Sequence, residues 1–133
     1  MQDSVLGEGA DAGECRRLRG IRGATTVDAD TGEQVTERTQ ALLQAMLQRN
    51  GVGHSDIVSV LFTVTDDIHS MFPATAARGV GFGDVPLICA RELDIEGGAA
   101  RCIRVLMHVE TAQQQLHHVY LEGASGLRDD LPE

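Results

Sequence analysis

Residues 101–111 read RCIRVLMHVET. Every second position from Ile103 is apolar (Ile103, Val105, Met107, Val109), while the intervening Cys102, Arg104, Leu106 and His108 are mixed. A period of two over this length describes a strand with one face on a core and a guanidinium on the other. Outward from it, residues 18–27, LRGIRGATTV, read as a second strand, with glycines where another element comes close. Its even positions, Gly20, Arg22, Ala24 and Thr26, share one face. Residues 57–64, IVSVLFTV, are almost wholly β-branched or apolar and predict a buried strand. Shorter strands are expected over 85–89 and 117–122.

Two helices separate these strands. Thr31 and Gln34 stand at capping-box spacing, and Val35, Thr39, Leu42, Leu43, Met46 and Leu47 then recur on one stripe. Asn50-Gly51 supplies the stop. Phe72-Pro73 opens a shorter helix, with ATAARGVG following. Gly97-Gly98 marks a turn. The order β-α-β-α-β-β-β predicts an α/β (α+β mixed) single domain, a mixed sheet packed by two main helices. Residues 1–17, rich in glycine and acids and without periodicity, are read as a flexible N-terminal extension, and 18–133 as the domain.

The chain has 133 residues and a formal charge of −9. That length suits one domain small enough to gain from oligomerisation. The charge disfavours nucleic acid and anionic membrane as partners. All 11 basic residues are arginine. The absence of lysine excludes Schiff-base catalysis and a P-loop lysine, while arginine's planar fork suits carboxylates. Cys15, Cys89 and Cys102 form an odd set without CxxC spacing, so neither a disulfide framework nor a zinc site is expected, and a reducing cytoplasm fits. No secretory signal and no membrane-spanning apolar stretch is read.

Arg22 and Arg104 are the first candidates for chemistry. A lone strand arginine usually lies at a sheet edge or against an acid, but two in different strands can converge on one dianionic ligand. Glu92 alone would be a solvated loop acid, Cys89 a small buried hydrophobe and Tyr120 an amphipathic packer. His117 and His118 are adjacent in a strand and cannot chelate one ion together. No Ser-His-Asp spacing, no Cys/His pair and no nucleotide loop stands out.

Five ordered motifs carry a resemblance: RGIRGATTV (19–27), TDDIHSMFPATAAR (65–78), VPLICARELD (85–94), RCIRVLMH (101–108) and HHVYLE (117–122). Together they resemble the small trimeric chorismate mutases with a pseudo-α/β-barrel, over about residues 18–131. The resemblance implies an isomerase of the aromatic amino-acid route that turns chorismate into prephenate in the cytoplasm, with no cofactor and no metal. It implies a homotrimer with active sites between subunits. Residue by residue, it implies that Arg22 grips a substrate carboxylate, Arg104 lies beside the ether oxygen, and Glu92 with Cys89 meets the ring hydroxyl region. Tyr120 would bond a carboxylate. Phe72 and Arg78 would form the wall and rim, and Leu127 and Arg128 the segment that closes over the pocket. Thr75 stands where some relatives carry a basic rim residue, and the loop 112–115 is shorter than in some. An imine deaminase of the same trimeric fold and a non-catalytic metabolite-binding module are the competing readings. The first lacks its own motifs here, and the second leaves the intact catalytic set without a purpose.

Overall fold

The computed structural model describes residues 15–127. Strands β1 (Arg17–Thr26), β2 (Ile57–Val64), β3 (Leu87–Arg91), β4 (Cys102–Thr111) and β5 (Val119–Tyr120) form one mixed sheet in the order β3-β2-β4-β1-β5. Helix α1 (Gly32–Asn50) joins β1 to β2, and α2 (Pro73–Arg78) joins β2 to β3. β4 fills the gap between β1 and β2 and runs antiparallel to both, while β3 and β5 add parallel strands at the two edges.

Alternation in β4 holds as read. Ile103, Val105, Met107 and Val109 are buried, and Arg104, Leu106 and His108 on the other face are half-buried. The buried face meets the α1 stripe of Val35, Leu42, Leu43, Met46 and Leu47, and α2 adds Ala74 and Ala77. Phe62 and Phe82 are the only aromatic side chains in an otherwise aliphatic core. Among the described residues no helix is long and apolar enough to cross a membrane.

α1 approaches β1 closely because Gly23 has no side chain. A Cβ there would lie 2.5 Å from Met46 Sδ and 3.2 Å from Leu42 Cδ1. Gly23→Ala is therefore expected to lower stability by about 1–3 kcal/mol through overpacking, measured as a reduced urea midpoint at unchanged slope. A variant as stable as the parent would show that Met46 swings aside without cost. At the other end of α1, Gly51 takes φ 62 and its N–H reaches the carbonyls of Gln48 and Leu47, a left-handed stop.

The structure corrects five local expectations. Thr31 Oγ1 accepts from Gln34 N–H at 3.1 Å, but the Gln34 side-chain Oε1 turns back to accept from Asp28 N–H at 2.8 Å, so the capping box is not reciprocal. β3 begins two residues late, because Val85 N–H bonds Phe82 in a turn and Pro86 has no N–H to offer. β2 is buried on one face only. Val60 and Phe62 lie in the core, whereas Ser59, Leu61 and Thr63 are half-exposed, since both helices pack on the same side of the sheet.

β5 is cut to two residues. The Asn50 side chain takes both main-chain groups of His117, accepting from its N–H at 2.6 Å and donating to its carbonyl at 2.9 Å. That backbone is then lost to the β1 ladder. Beyond Tyr120 the chain turns at Glu122, where φ is 53. At the opposite end of the expected extension, Arg16 already docks, bonding Asp56 at 2.7 Å and the Glu110 carbonyl at 2.8 Å, and β1 starts at Arg17. Residues 1–14 lie outside the described residues.

Candidate active site

The sheet face opposite the helices is covered at one end only, where Ala124 and Leu127 pack on Ala24 and Cys102; the rest is open. Leu18 is 60% exposed and Ile88 64% exposed on it. Pairing fixes who meets whom there. Ala24 lies opposite Arg104 and Arg22 opposite Leu106 across β1 and β4, so the two arginines are diagonal neighbours. Diagonal positions sit roughly 7–8 Å apart, within reach of long side chains. On the other flank of β4, Thr63 faces Arg104 and Leu61 faces Leu106. Tyr120 lies beside Ala24 across β5. One transverse row therefore runs Thr63, Arg104, Ala24, Tyr120. Because Ala24 is small, it leaves a depression between the guanidinium and the phenol. Arg22, Gly23, Ala24, Leu61, Thr63, Arg104 and Tyr120 contribute to its lining.

Glu92 closes one end. Its N–H bonds the Val64 carbonyl at 2.8 Å, which carries the β2–β3 ladder one rung past β3 and fixes the residue on the open face. Its Oε2 lies 3.1 Å from Arg104 Nε, an ion pair whose N–H is not aligned as a hydrogen bond. The same oxygen accepts from the Thr63 hydroxyl. Glu92 is thus held by two partners through one oxygen, and no described residue bonds the terminal nitrogens of Arg104. The everyday reading of a strand arginine, pairing with an acid, is true of Arg104. For Arg22 the opposite holds: among the described residues no carboxylate pairs with its guanidinium. The Tyr120 hydroxyl is buried and has no hydrogen-bond partner among the described residues. In a depression beside two guanidiniums, this leaves a buried phenol whose hydrogen bond is unmade by the described residues.

Behind Tyr120 lies a small cluster of Ala24, Cys102 and Ala124, against which Leu127 packs. Burial pushes the Cys102 thiol up, only partly opposed by the Arg104 guanidinium, so this sulfur stays a neutral packing group. Arg128 lies outside the described residues.

The remaining sequence candidates gather elsewhere. Cys89 pairs with Phe62 across β3 and β2, which puts it on the helix face, away from Glu92. A separation of three in a strand dictates opposite faces. Cys89 lines a second depression with Phe72, His69 and Arg91 at the β3 edge, where Phe72 is 70% exposed. Thr75 and Arg78 are exposed on α2. Within one chain the structure brings together Arg22, Glu92, Arg104 and Tyr120, and keeps Phe72, Thr75, Arg78 and Cys89 apart from them. Thr63 was missed by the sequence reading. Strand alternation puts it on a face, but only the β2–β4 register shows that this face carries Arg104.

Two carboxylates hold the turn leading into α2. Asp30 accepts from Ser70 Oγ at 2.7 Å and from His69 N–H at 2.9 Å, and the first of these is the main reason its carboxyl lies below the usual range. At Asp67 burial pushes the carboxyl up, but the Thr65 hydroxyl at 2.5 Å and the Arg101 N–H at 2.9 Å together pull it lower still. A depressed folded value means stability that is present above the unfolded pKa of about 3.9 and lost as pH falls through the folded one. Thermal melting is expected to be insensitive to these groups above pH ~5 and to decline below pH ~4. Asp30→Asn should flatten part of that decline. Identical acid limbs for variant and parent would remove Asp30 from the account.

Among the described residues, no cluster of three His, Cys, Asp or Glu side chains is placed to hold a metal ion.

Comparison with known proteins gives the family. A family model for chorismate mutase type I matches residues 18–131. The chain is 45% identical over 117 residues to chorismate mutase AroH of Bacillus subtilis, an alignment covering 86% of this chain and 92% of that protein. It is 47% identical over 117 residues to chorismate mutase AroH of Thermus thermophilus, covering 86% of this chain and 96% of that protein. Among solved structures, a chorismate mutase from Clostridium thermocellum superposes with a TM-score of 0.78 at 45% identity, covering 80% of this chain and 96% of that one. On sequence and fold alike, the chain belongs to the type I chorismate mutase family.

Proposed function

We infer that this chain converts chorismate to prephenate, on the route to phenylalanine and tyrosine, in the depression between Arg104 and Tyr120. The observation that carries the reading is the convergence there of two guanidiniums with a buried phenol, where among the described residues Arg22 has no carboxylate and Tyr120 Oη no hydrogen-bond partner. Chorismate is a dicarboxylate with an enolpyruvyl ether, so this set matches its charge and its hydrogen-bonding needs.

The rearrangement is pericyclic. One C–O bond breaks as one C–C bond forms, no proton moves, and no nucleophile is required. The protein has two tasks: selecting the compact pseudo-diaxial conformer, and stabilising the charge that separates in the transition state. Arg22 and the Tyr120 hydroxyl bind the side-chain carboxylate. Arg104 donates to the ether oxygen as it gains negative charge, and its pairing with Glu92 fixes the guanidinium beforehand. With Oε2 engaged by Thr63 and Arg104, Glu92 offers Oε1 to the ring hydroxyl, on the side that becomes positive.

Phe72, Thr75, Arg78 and Cys89 reach the same substrate from a neighbouring subunit of a homotrimer. Three observations support this assembly. Beyond its Ala24–Cys102 end, the sheet face bearing Arg104 is open and partly apolar, the second group lies at the β3 edge farthest from β5, and Cys89 and Glu92 face opposite ways in one chain. Leu127, packed on the Ala24–Cys102 cluster behind Tyr120, closes over the carboxylate end. The trimer acts in the cytoplasm, with chorismate as its small-molecule partner.

The test is the loss of chorismate's ultraviolet absorbance with purified protein, followed by acid conversion of product to phenylpyruvate. Turnover well above the spontaneous rate with phenylpyruvate recovered is the expected result. A folded protein that leaves the spontaneous rate unchanged would contradict the reading.

A further inference from the structure

His118 has no role in the mechanism above, yet its imidazole meets the carboxylate-binding strand. Its Nδ1 lies 3.0 Å from the backbone N–H of Arg22, which donates to it. The parallel β1–β5 ladder has only two register pairs, Gly23 with Val119 and Ala24 with Tyr120. The next rung toward Arg22 would need the backbone near His117, and Asn50 has taken both main-chain groups of that residue. Without the imidazole, the Arg22 N–H would point at a strand that has already ended. The ring replaces the missing rung.

We propose that His118 is a positioning residue for substrate, its Nδ1 fixing the Arg22 backbone in register with Tyr120 so that guanidinium and phenol meet the same carboxylate. The proposal rests on the chorismate mutase reading and extends it. An accepting Nδ1 puts the ring proton on Nε2. His118 lies two residues before Tyr120 on one short segment, and Asn50 clamps the residue before it. The helix C-terminus, the imidazole and the β1–β5 rungs therefore set the spacing of both carboxylate-binding side chains together. Loss of this bond should weaken capture of the carboxylate more than the chemical step, because Arg104 and Glu92 are held from β2, β3 and β4.

The test compares His118→Asn with His118→Gln in the full chain. Asn Oδ1 stands the same number of bonds from the backbone as Nδ1 and can accept from Arg22 N–H; Gln carries its acceptor one bond farther out. The expected result is a KM for chorismate within about twofold of the parent for H118N. For H118Q, KM should rise about tenfold with kcat changed less than about threefold, the scale of one hydrogen bond lost from ligand binding. Hydrogen exchange at the Arg22 amide, read by NMR, should stay slow in H118N and quicken in H118Q. Parental KM in H118Q, equal impairment of both variants, or a loss confined to kcat would overturn the proposal. If H118Q does not fold, H118N decides alone: a raised KM or an unprotected Arg22 amide in that folded variant overturns it. The exchange readout needs no turnover, so failure of the mutase reading and failure of the His118 role are told apart.

Discussion

Arg104→Lys is expected to lower kcat for chorismate by at least ~10²-fold, as loss of a preorganised donor at a developing oxyanion does, while the melting temperature changes little. The argument starts from where the guanidinium sits. Its Nε faces Glu92 at 3.1 Å, in a row with Thr63 and Ala24. That leaves the two terminal nitrogens of a planar fork for the substrate. A lysine ammonium is a single point on a flexible stem and can satisfy Glu92 or the ether oxygen, not both at once. The ground state carries little charge on that oxygen, so the deficit falls on the transition state and appears in kcat. Folding is affected less, because Arg104 is partly exposed and its ion pair is screened. Near-parental kcat in the lysine variant would remove Arg104 from the centre of the mechanism.

Mixing two crippled variants is expected to restore activity. Arg78→Ala should lower kcat/KM by about 10–100-fold, the range for a lost charge-assisted hydrogen bond. If Arg104 and Arg78 reach one substrate from neighbouring chains, a mixed trimer contains some sites that draw Arg104 from the Arg78 variant and Arg78 from the Arg104 variant. Random assembly of equal amounts makes about one site in four intact in a closed threefold ring. Co-expressed Arg104→Lys and Arg78→Ala chains should therefore regain about a quarter of parental kcat/KM per site. Activity no higher than the average of the two pure variants would place both residues in one chain's site, or the site away from the interface. The exposure of Arg78 on α2, on a different element from the Arg104 row, is the structural reason to expect restoration.

Much of the scaffold was legible because it rests on local periodicity. Ile103, Val105, Met107 and Val109 had to share a face, and the α1 stripe from Val35 to Leu47 had to find it. The close approach at Gly23 was marked by the glycine itself. What failed was set by long-range pairing. The shortness of β5 comes from Asn50 reaching across 67 positions to His117, which no local pattern encodes. The half-exposed face of β2 follows from both helices choosing one side of the sheet.

At the site, Arg22 and Arg104 stood out as charges in apolar strands, but their convergence depends on the β1–β4 register. Thr63 carried no signal, since a threonine in a strand is ordinary. The grouping of Cys89 with Glu92 came from the family resemblance. Parity alone separates the two within a chain, and only a neighbouring subunit reunites them in the proposed site.

The most direct measurement is a crystal structure of the protein with a bicyclic dicarboxylate ether shaped like the transition state. The account predicts the ether oxygen within about 2.7–3.1 Å of a terminal nitrogen of Arg104, one carboxylate on Arg22 and the Tyr120 hydroxyl, and Phe72 and Arg78 arriving from the adjacent subunit. A ligand bound away from Arg104, or complete within one chain, would contradict it.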